Sequence, residues 1–220
     1  QAEDGIRDRD VTGVQTCALP IFTDCLKTVR QKWDRTPRLG IVLGTGLGGF
    51  VDRMEIEATF ERTDLPHFPP ATAMSHRGRL VCGTIGSTPI VVMEGRFHVY
   101  EGHSLDLITL PVRLMRLMGI ELLILTNASG GLNPDFRAGH IVMLTDHMNF
   151  MGTNPLIGPN DDRFGPRFPD ISETYSGRWR TIAARVAERE NITLKQGVYA
   201  AVTGPNYETK AEVDRKSTRL

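Results

Sequence analysis

The chain has no excess of either charge, no long hydrophobic run and no cysteine pairing pattern, and each absence removes a class of function. Its 26 lysines and arginines balance its 26 aspartates and glutamates, so there is no basic field to attract nucleic acid or an acidic membrane surface. No apolar stretch approaches the ~18 residues of a membrane span, and the N-terminus carries no apolar signal core. The three cysteines, Cys17, Cys25 and Cys82, follow no metal or redox spacing, and an odd count argues against a secreted disulfide framework. His67, His103, His140 and His147 match no metal motif either. These absences predict a soluble protein of the reducing cytoplasm that acts on small molecules, with no metal, nucleic acid or membrane partner.

What is present suits one sizeable α/β domain: 220 residues, 40% hydrophobic and 24% charged, enough for a continuous core. Residues 1–21 (QAEDGIRDRDVTGVQTCALPI) show neither helical nor strand periodicity. They and residues 215–220 (RKSTRL) resemble translated sequencing-adaptor read-through. The expected organisation is therefore a foreign tail at 1–21, a native domain over 22–214 that is incomplete at its C-terminal end, and a foreign tail at 215–220.

Helical spacing of Phe22, Cys25, Leu26 and Val29 predicts a helix from Phe22 to Asp34. Residues 38–43 read as a buried strand. Residues 54–60 alternate, with Met54, Ile56, Ala58 and Phe60 on one face, as in a half-exposed strand. Two more strands are expected at 80–85 and 89–93, after a proline-rich loop at 65–76 long enough to be functional. Ser104 can cap a helix to Met118, with Pro111 starting or kinking it. The apolar run 121–126 predicts a central strand, and 140–145 another. An irregular stretch from Asp146 to Asp170 reads as a lid or interface loop, followed by a helix over 171–190, a strand over 196–203 and a new helix after Glu208. Alternating strands and helices without repeats favour a single α/β fold.

Polar residues concentrate where strands end. Glu94-Gly-Arg-Phe-His-Val-Tyr-Glu-Gly-His103 sets Arg96, His98 and Tyr100 two residues apart, a spacing that shares one face of an extended chain. Arginine offers a fork of donors matched to phosphate, and histidine a donor whose charge changes near neutral pH. Gly44-Thr-Gly-Leu-Gly-Gly49 also follows a strand and matches G-x-G-x-x-G. A dinucleotide site further requires a crossover helix and a second parallel strand ending in an acidic residue. Residues 50–53 are too short for that helix, and Asp64 falls in the proline-rich loop. The remaining property is general: glycines let backbone amides approach an anion, and Thr45 adds a hydroxyl. A second glycine loop, Thr126-Asn-Ala-Ser-Gly-Gly-Leu-Asn133, again follows a strand, and two such loops suggest one shared cleft.

In this order, GTGLGG, SHRGRL, EGRFHVYEGH, TNASGGLN, GPNDDRFGPRFPD and GPNYET resemble the trimeric purine nucleoside phosphorylases that prefer 6-oxopurines, over about Leu39 to Glu212. The resemblance implies a single-domain α/β fold with a mixed, twisted central sheet flanked by helices, with 22–214 as the phosphorylase domain. It implies phosphorolysis of inosine and guanosine to free base and ribose 1-phosphate in purine salvage, by a homotrimer that uses inorganic phosphate as co-substrate and no cofactor.

Carried onto matching positions, Thr45, His76, Arg96, His98 and the backbone of Ala128 hold phosphate. Tyr100 contacts the ribose, and Glu101 steadies His98, the two forming the catalytic pair. Asn127 lies beside the base, Tyr207 packs on the purine ring and Glu208 binds its Watson-Crick edge. Phe168 is the aromatic that a neighbouring subunit inserts over the sugar. Three other readings remain at this point: the methylthioadenosine branch of the same family, an inactive fragment lacking family residues beyond 214, and a nicotinamide-dependent oxidoreductase.

Overall fold

Short apolar strands with hydrophobic residues at both parities are buried on both faces, and that pattern organises this chain. The computed structural model describes residues 18–69 and 78–217. In chain order these form α1 (Ala18–Lys32), β1 (Leu39–Leu43), β2 (Glu55–Phe60), β3 (Arg79–Ile85), β4 (Thr88–Glu94), α2 (Leu105–Met118), β5 (Leu122–Leu125), β6 (Ile141–Asn149), α3 (Gly177–Arg189), β7 (Leu194–Ala201) and α4 (Lys210–Ser217). Short 3-10 segments lie at Gly48–Arg53, Arg62–Asp64, Val99–Glu101 and Asp162–Phe164. Two compact units result: one runs to Asn127 and includes Pro155–Phe164, the other comprises Ala128–Asn154 and the chain from Gly165 on.

The first unit holds a mixed sheet in the order β2-β3-β4-β1-β5. β1 is parallel to both β4 and β5, whereas β3 is antiparallel to β2 and β4. Val42, Leu80, Cys82, Val91 and Met93 turn to one face, against α1 and α2 through Phe22, Cys25, Val29, Leu110, Leu114 and Met118. Ile41, Leu43, Val81, Ile90 and Val92 turn to the other, against Val51 and Met54. The second unit pairs β6 with β7 in parallel, with a register shift between Leu144 and Asp146.

The α/β class with a mixed sheet flanked by helices is as the sequence implied, and the strands and helices fall where expected with informative exceptions. α1 begins at Ala18 rather than Phe22, and α3 at Gly177 rather than 171. β6 continues to Asn149. The alternation expected in β2 is broken: a register shift between Ile56 and Ala58 leaves Ile56 exposed, because a bulge moves later side chains to the other face. β5 is not central. Among the described residues it pairs only with β1 at the edge of its sheet, and Leu125 is 64% exposed; an apolar run reports composition, not the number of ladder partners. Pro111 lies buried inside α2 rather than at its start, where core contact offsets the hydrogen bond that proline cannot donate. Ser104 caps that helix, its Oγ accepting from the Leu107 amide at 3.4 Å.

The dinucleotide reading fails on topology. After the glycine loop comes the Gly48–Arg53 3-10 segment, then β2, which is antiparallel to β3 and not hydrogen-bonded to β1. No crossover helix follows β1, so the glycines do not open a Rossmann unit.

Candidate active site

Three parallel strands end together, and Thr45, Arg96 and His98 follow those ends. Leu43 of β1 lies opposite Glu94 of β4, and Val42 opposite Leu125 of β5. Gly44-Thr45, Gly95-Arg96 and Thr126-Asn127 therefore leave the sheet side by side, at the carboxyl edge where open α/β sheets bind ligands. The side chain of Thr126 joins two of the loops: its Oγ1 accepts from the Gly44 amide at 2.8 Å and donates to the Val42 carbonyl at 3.1 Å. Arg96 joins the third, donating from Nη1 to the Thr126 carbonyl at 2.6 Å. That bond fixes one edge of the guanidinium and orients the rest of its donor fork.

Gly44 is required by this close approach. A Cβ there would lie 2.7 Å from the Thr126 carbonyl oxygen and 2.8 Å from Asn127 Cα, both backbone atoms that cannot swing aside. Thr45, one residue on, is exposed at the edge.

His98 is held from three directions. Its Nδ1 lies 2.6 Å from Glu101 Oε1, its backbone amide donates to the same oxygen at 3.0 Å, and its ring stacks on Tyr100 with centroids 4.7 Å apart. An ionised carboxylate only accepts, so this contact puts the proton on Nδ1 and turns Nε2 to outside partners. The Glu101 side chain is 6% exposed, well shielded, which strengthens the pairing. The turn closes at Gly102, in the left-handed region at φ 85°.

Beneath the glycine loop, Arg79 and Glu94 face each other across the β3–β4 ladder and form an ion pair at 2.5 Å. A cavity of about 330 Å³ adjoins this loop, lined by Gly44, Thr45, Gly48, Asp52 and Glu94 among others. Among the described residues Thr45 is the one predicted phosphate ligand that lines it, and of the two carboxylates in its wall Glu94 is the one paired with Arg79. His76 lies outside the described residues.

The remaining predicted residues belong to the second unit. Ala128, the residue after Asn127, is exposed, as are Phe168 at 87% and Tyr207 at 93%. Glu208 is not open: Oε1 accepts from Lys216 Nζ at 2.8 Å, and this lysine is buried. The Lys216 ammonium holds the Glu208 carboxyl below its ordinary range. Sequence reasoning gave no role to Thr126 or Arg79, whose partners come from other strands and loops, nor to Lys216, eight residues from Glu208 and inside the segment read as a foreign tail. The only local signal was position: Thr126 ends an apolar strand and Arg79 begins one.

Among the described residues no group of acidic, histidine or cysteine side chains is arranged to hold a metal ion. No described helix is long and apolar enough to cross a membrane.

The sequence pattern of the phosphorylase superfamily matches residues 38–219, and the chain is 49% identical over 185 residues to purine nucleoside phosphorylase 1 of Bacillus subtilis (strain 168). The chain belongs to the phosphorylase superfamily, among its purine nucleoside phosphorylases. The Bacillus alignment covers 84% of this chain and 68% of the relative. Bovine purine nucleoside phosphorylase is 42% identical over 196 residues, covering 87% of this chain and 68% of its own length. A crystal structure of isoform 2 of the Schistosoma mansoni phosphorylase, in complex with cytosine and ribose-1-phosphate, superposes with a TM-score of 0.84 at 36% identity, covering 90% of this chain and 71% of that one. A second Schistosoma mansoni phosphorylase structure, with adenosine, also gives 0.84, at 38% identity with the same coverage. Membership in this phosphorylase family accounts for the mixed sheet, which a dinucleotide fold does not.

Proposed function

We propose that this chain catalyses phosphorolysis of purine nucleosides of the 6-oxopurine type, converting inosine or guanosine and inorganic phosphate to free base and ribose 1-phosphate. The observation that carries the reading is the junction of three strand ends by Thr126 and Arg96, with His98 set on Glu101, in a chain 49% identical to a purine nucleoside phosphorylase. A phosphate oxygen attacks C1′ as the C1′–N9 bond breaks, and the bond pair leaves with the base, which takes up a proton. Positive charge develops on the ribosyl ring and negative charge on the purine.

Thr45, His76, Arg96, His98 and the Ala128 amide hold phosphate against the sugar, so the nucleophile is positioned and also stabilises the ring cation. Glu101 fixes the His98 ring, and Tyr100 borders the ribose. Asn127 lies beside the base and Tyr207 packs on the purine. An ionised Glu208 accepts from N1–H of a 6-oxopurine and from the 2-amino group of guanine; adenine presents an acceptor at N1, so binding it leaves a carboxylate unpaired. Phe168, exposed in this chain, covers the sugar of a neighbouring subunit in a cytoplasmic homotrimer. Phosphate is the co-substrate and no other cofactor takes part. On the same reading residues 22–214 are the phosphorylase segment, and 1–21 and 215–220 are foreign to it.

The test is base release from inosine with and without phosphate. Hypoxanthine and ribose 1-phosphate are expected in equal amounts and only with phosphate; equal release without it overturns the proposal.

A further inference from the structure

Arg96 and His98 are tied to different parts of the first unit, and a single residue separates them. Arg96 donates to the Thr126 carbonyl at 2.6 Å, whereas His98 is held on Glu101 at 2.6 Å. Burial alternates along this stretch: Arg96 and His98 are half-buried and Phe97 is buried. His98 is extended, at φ −122° and ψ 150°, and successive side chains of an extended chain point to opposite sides. Phe97 therefore turns inward where its two neighbours turn out. Its ring meets Phe68 edge to face, centroids 5.8 Å apart at 77°, and His103 in the same way at 6.0 Å and 79°. The Arg62 guanidinium lies over the same ring, 6.0 Å from its centroid. Phe68 is anchored in turn. Its amide donates to the Leu65 carbonyl at 3.3 Å, and the Cys25 thiol ties this turn to α1 by donating to the Pro66 carbonyl at 2.9 Å. Burial pushes that thiol up to about 11, so it keeps its proton at neutral pH. Leu65, Phe68 and Phe97 all belong to the core cluster that α1 and α2 share.

We propose that Phe97 is a positioning residue for phosphate binding: its ring, seated among Phe68, His103 and Arg62, fixes the direction in which Arg96 and His98 leave the chain, so that both meet one anion. This rests on the phosphorolysis reading above. Contacts at the tips of Arg96 and His98 orient each side chain separately. The angle between the two is set by the backbone they share, and a large buried ring between them keeps that backbone from turning. Two donors act on one anion only when both are held near their productive geometry, and packing against rigid elements is what holds them.

The experiment compares the full chain with Phe97→Leu and with Phe60→Leu. Both substitutions remove a ring from the same core cluster, but Phe60 lies on β2, separated from β4 by β3, so it reports loss of core packing alone. Phosphate affinity is measured by calorimetry with inorganic phosphate. Phe97→Leu is expected to raise phosphate Kd by about tenfold, the weight of an edge-to-face aromatic contact, and Phe60→Leu to leave it unchanged although both variants melt at lower temperature. Side-chain NMR relaxation of the Arg96 Nε–H should show greater motion in Phe97→Leu and not in Phe60→Leu. Phe68→Leu removes the same aromatic contact from its other side. It should raise phosphate Kd in the same direction, and the double variant should bind phosphate no more weakly than Phe97→Leu alone.

Unchanged phosphate Kd in a folded Phe97→Leu protein overturns the proposal. So does an equal rise in Phe97→Leu and Phe60→Leu, because that is the mark of a merely structural role, and so do fully additive effects of Phe68→Leu and Phe97→Leu. If Phe97→Leu does not fold, Phe68→Leu replaces it: it leaves Phe97 in place and removes a ring that seats it, and equal phosphate Kd in Phe68→Leu and Phe60→Leu then overturns the proposal. A parent chain that binds no phosphate refutes the phosphorolysis reading as well, whereas a parent that binds it with Phe97→Leu unaltered refutes only the role of Phe97.

Discussion

Lys216 Nζ donates to Glu208 Oε1 at 2.8 Å, and the lysine that does so is 6% exposed. The carboxylate proposed to read the purine edge is therefore occupied by an ammonium from α4, eight residues further along the same chain.

Removing the lysine should open the carboxylate. Lys216→Met is expected to lower nucleoside KM by about three- to tenfold, the cost of displacing one charge-assisted hydrogen bond, with phosphate KM unchanged. Steady-state kinetics with inosine check this, and unchanged nucleoside KM removes Lys216 as a competitor for the base site.

The same pair sets a pH dependence. Glu208 is held below its ordinary value, first by the Lys216 hydrogen bond, so its contribution to stability is fully present above the unfolded glutamate value and is lost as pH falls through the lower folded one. Thermal melts should show Lys216→Met less stable than the parent at neutral pH, with the difference shrinking in that acid range. A difference that persists unchanged below it would assign the effect to packing of the lysine stem.

Glu208→Ala should erode the preference for 6-oxopurines over adenosine. In the parent, adenine leaves a carboxylate unpaired, and a mismatch of that kind discriminates strongly. Because the substitution also strips the buried Lys216 of its partner, it is best read alongside the double variant with Lys216→Met. Unchanged substrate ranking in both removes Glu208 from base recognition.

Arg96→Ala should weaken use of phosphate far more than binding of nucleoside. It removes a fork already oriented by the Thr126 carbonyl, and the expected rise in phosphate KM is about 10²-fold. Arg96→Lys should recover only part, because an ammonium cannot hold the carbonyl and present a planar pair of donors together. Equal changes in both KM values would point to collapse of the strand-end junction instead.

Gly44→Ala should disturb that junction directly. Its Cβ would fall 2.7 Å from the Thr126 carbonyl oxygen, and the backbone shift needed to relieve such overpacking costs about 1–3 kcal/mol. Chemical denaturation measures the loss of stability, and phosphate affinity should fall with it, since Thr45 follows Gly44. A fully stable alanine variant with normal phosphate affinity would show that the two loops do not need their close contact.

Sequence alone determined a good deal here, and each part was local. Apolar residues at both parities in 80–85 and 89–93 marked β3 and β4, Ser104 marked the start of α2, and the polar runs at 44–49, 94–103 and 126–133 marked loops at strand ends. The order of those runs, with GPNYET, was specific enough to indicate the family. The same local signals misled where long-range pairing decides. Residues 121–126 have the composition of a central strand, yet β5 pairs only with β1 among the described residues, and the alternation of 54–60 did not announce the register shift after Ile56. Only the tertiary structure set Arg79 opposite Glu94 and bound Gly44 to Thr126. The physical reason is that periodicity and composition record what each residue needs from its surroundings, burial or a partner, whereas which residue supplies it is decided by strand order and register between segments far apart in the chain.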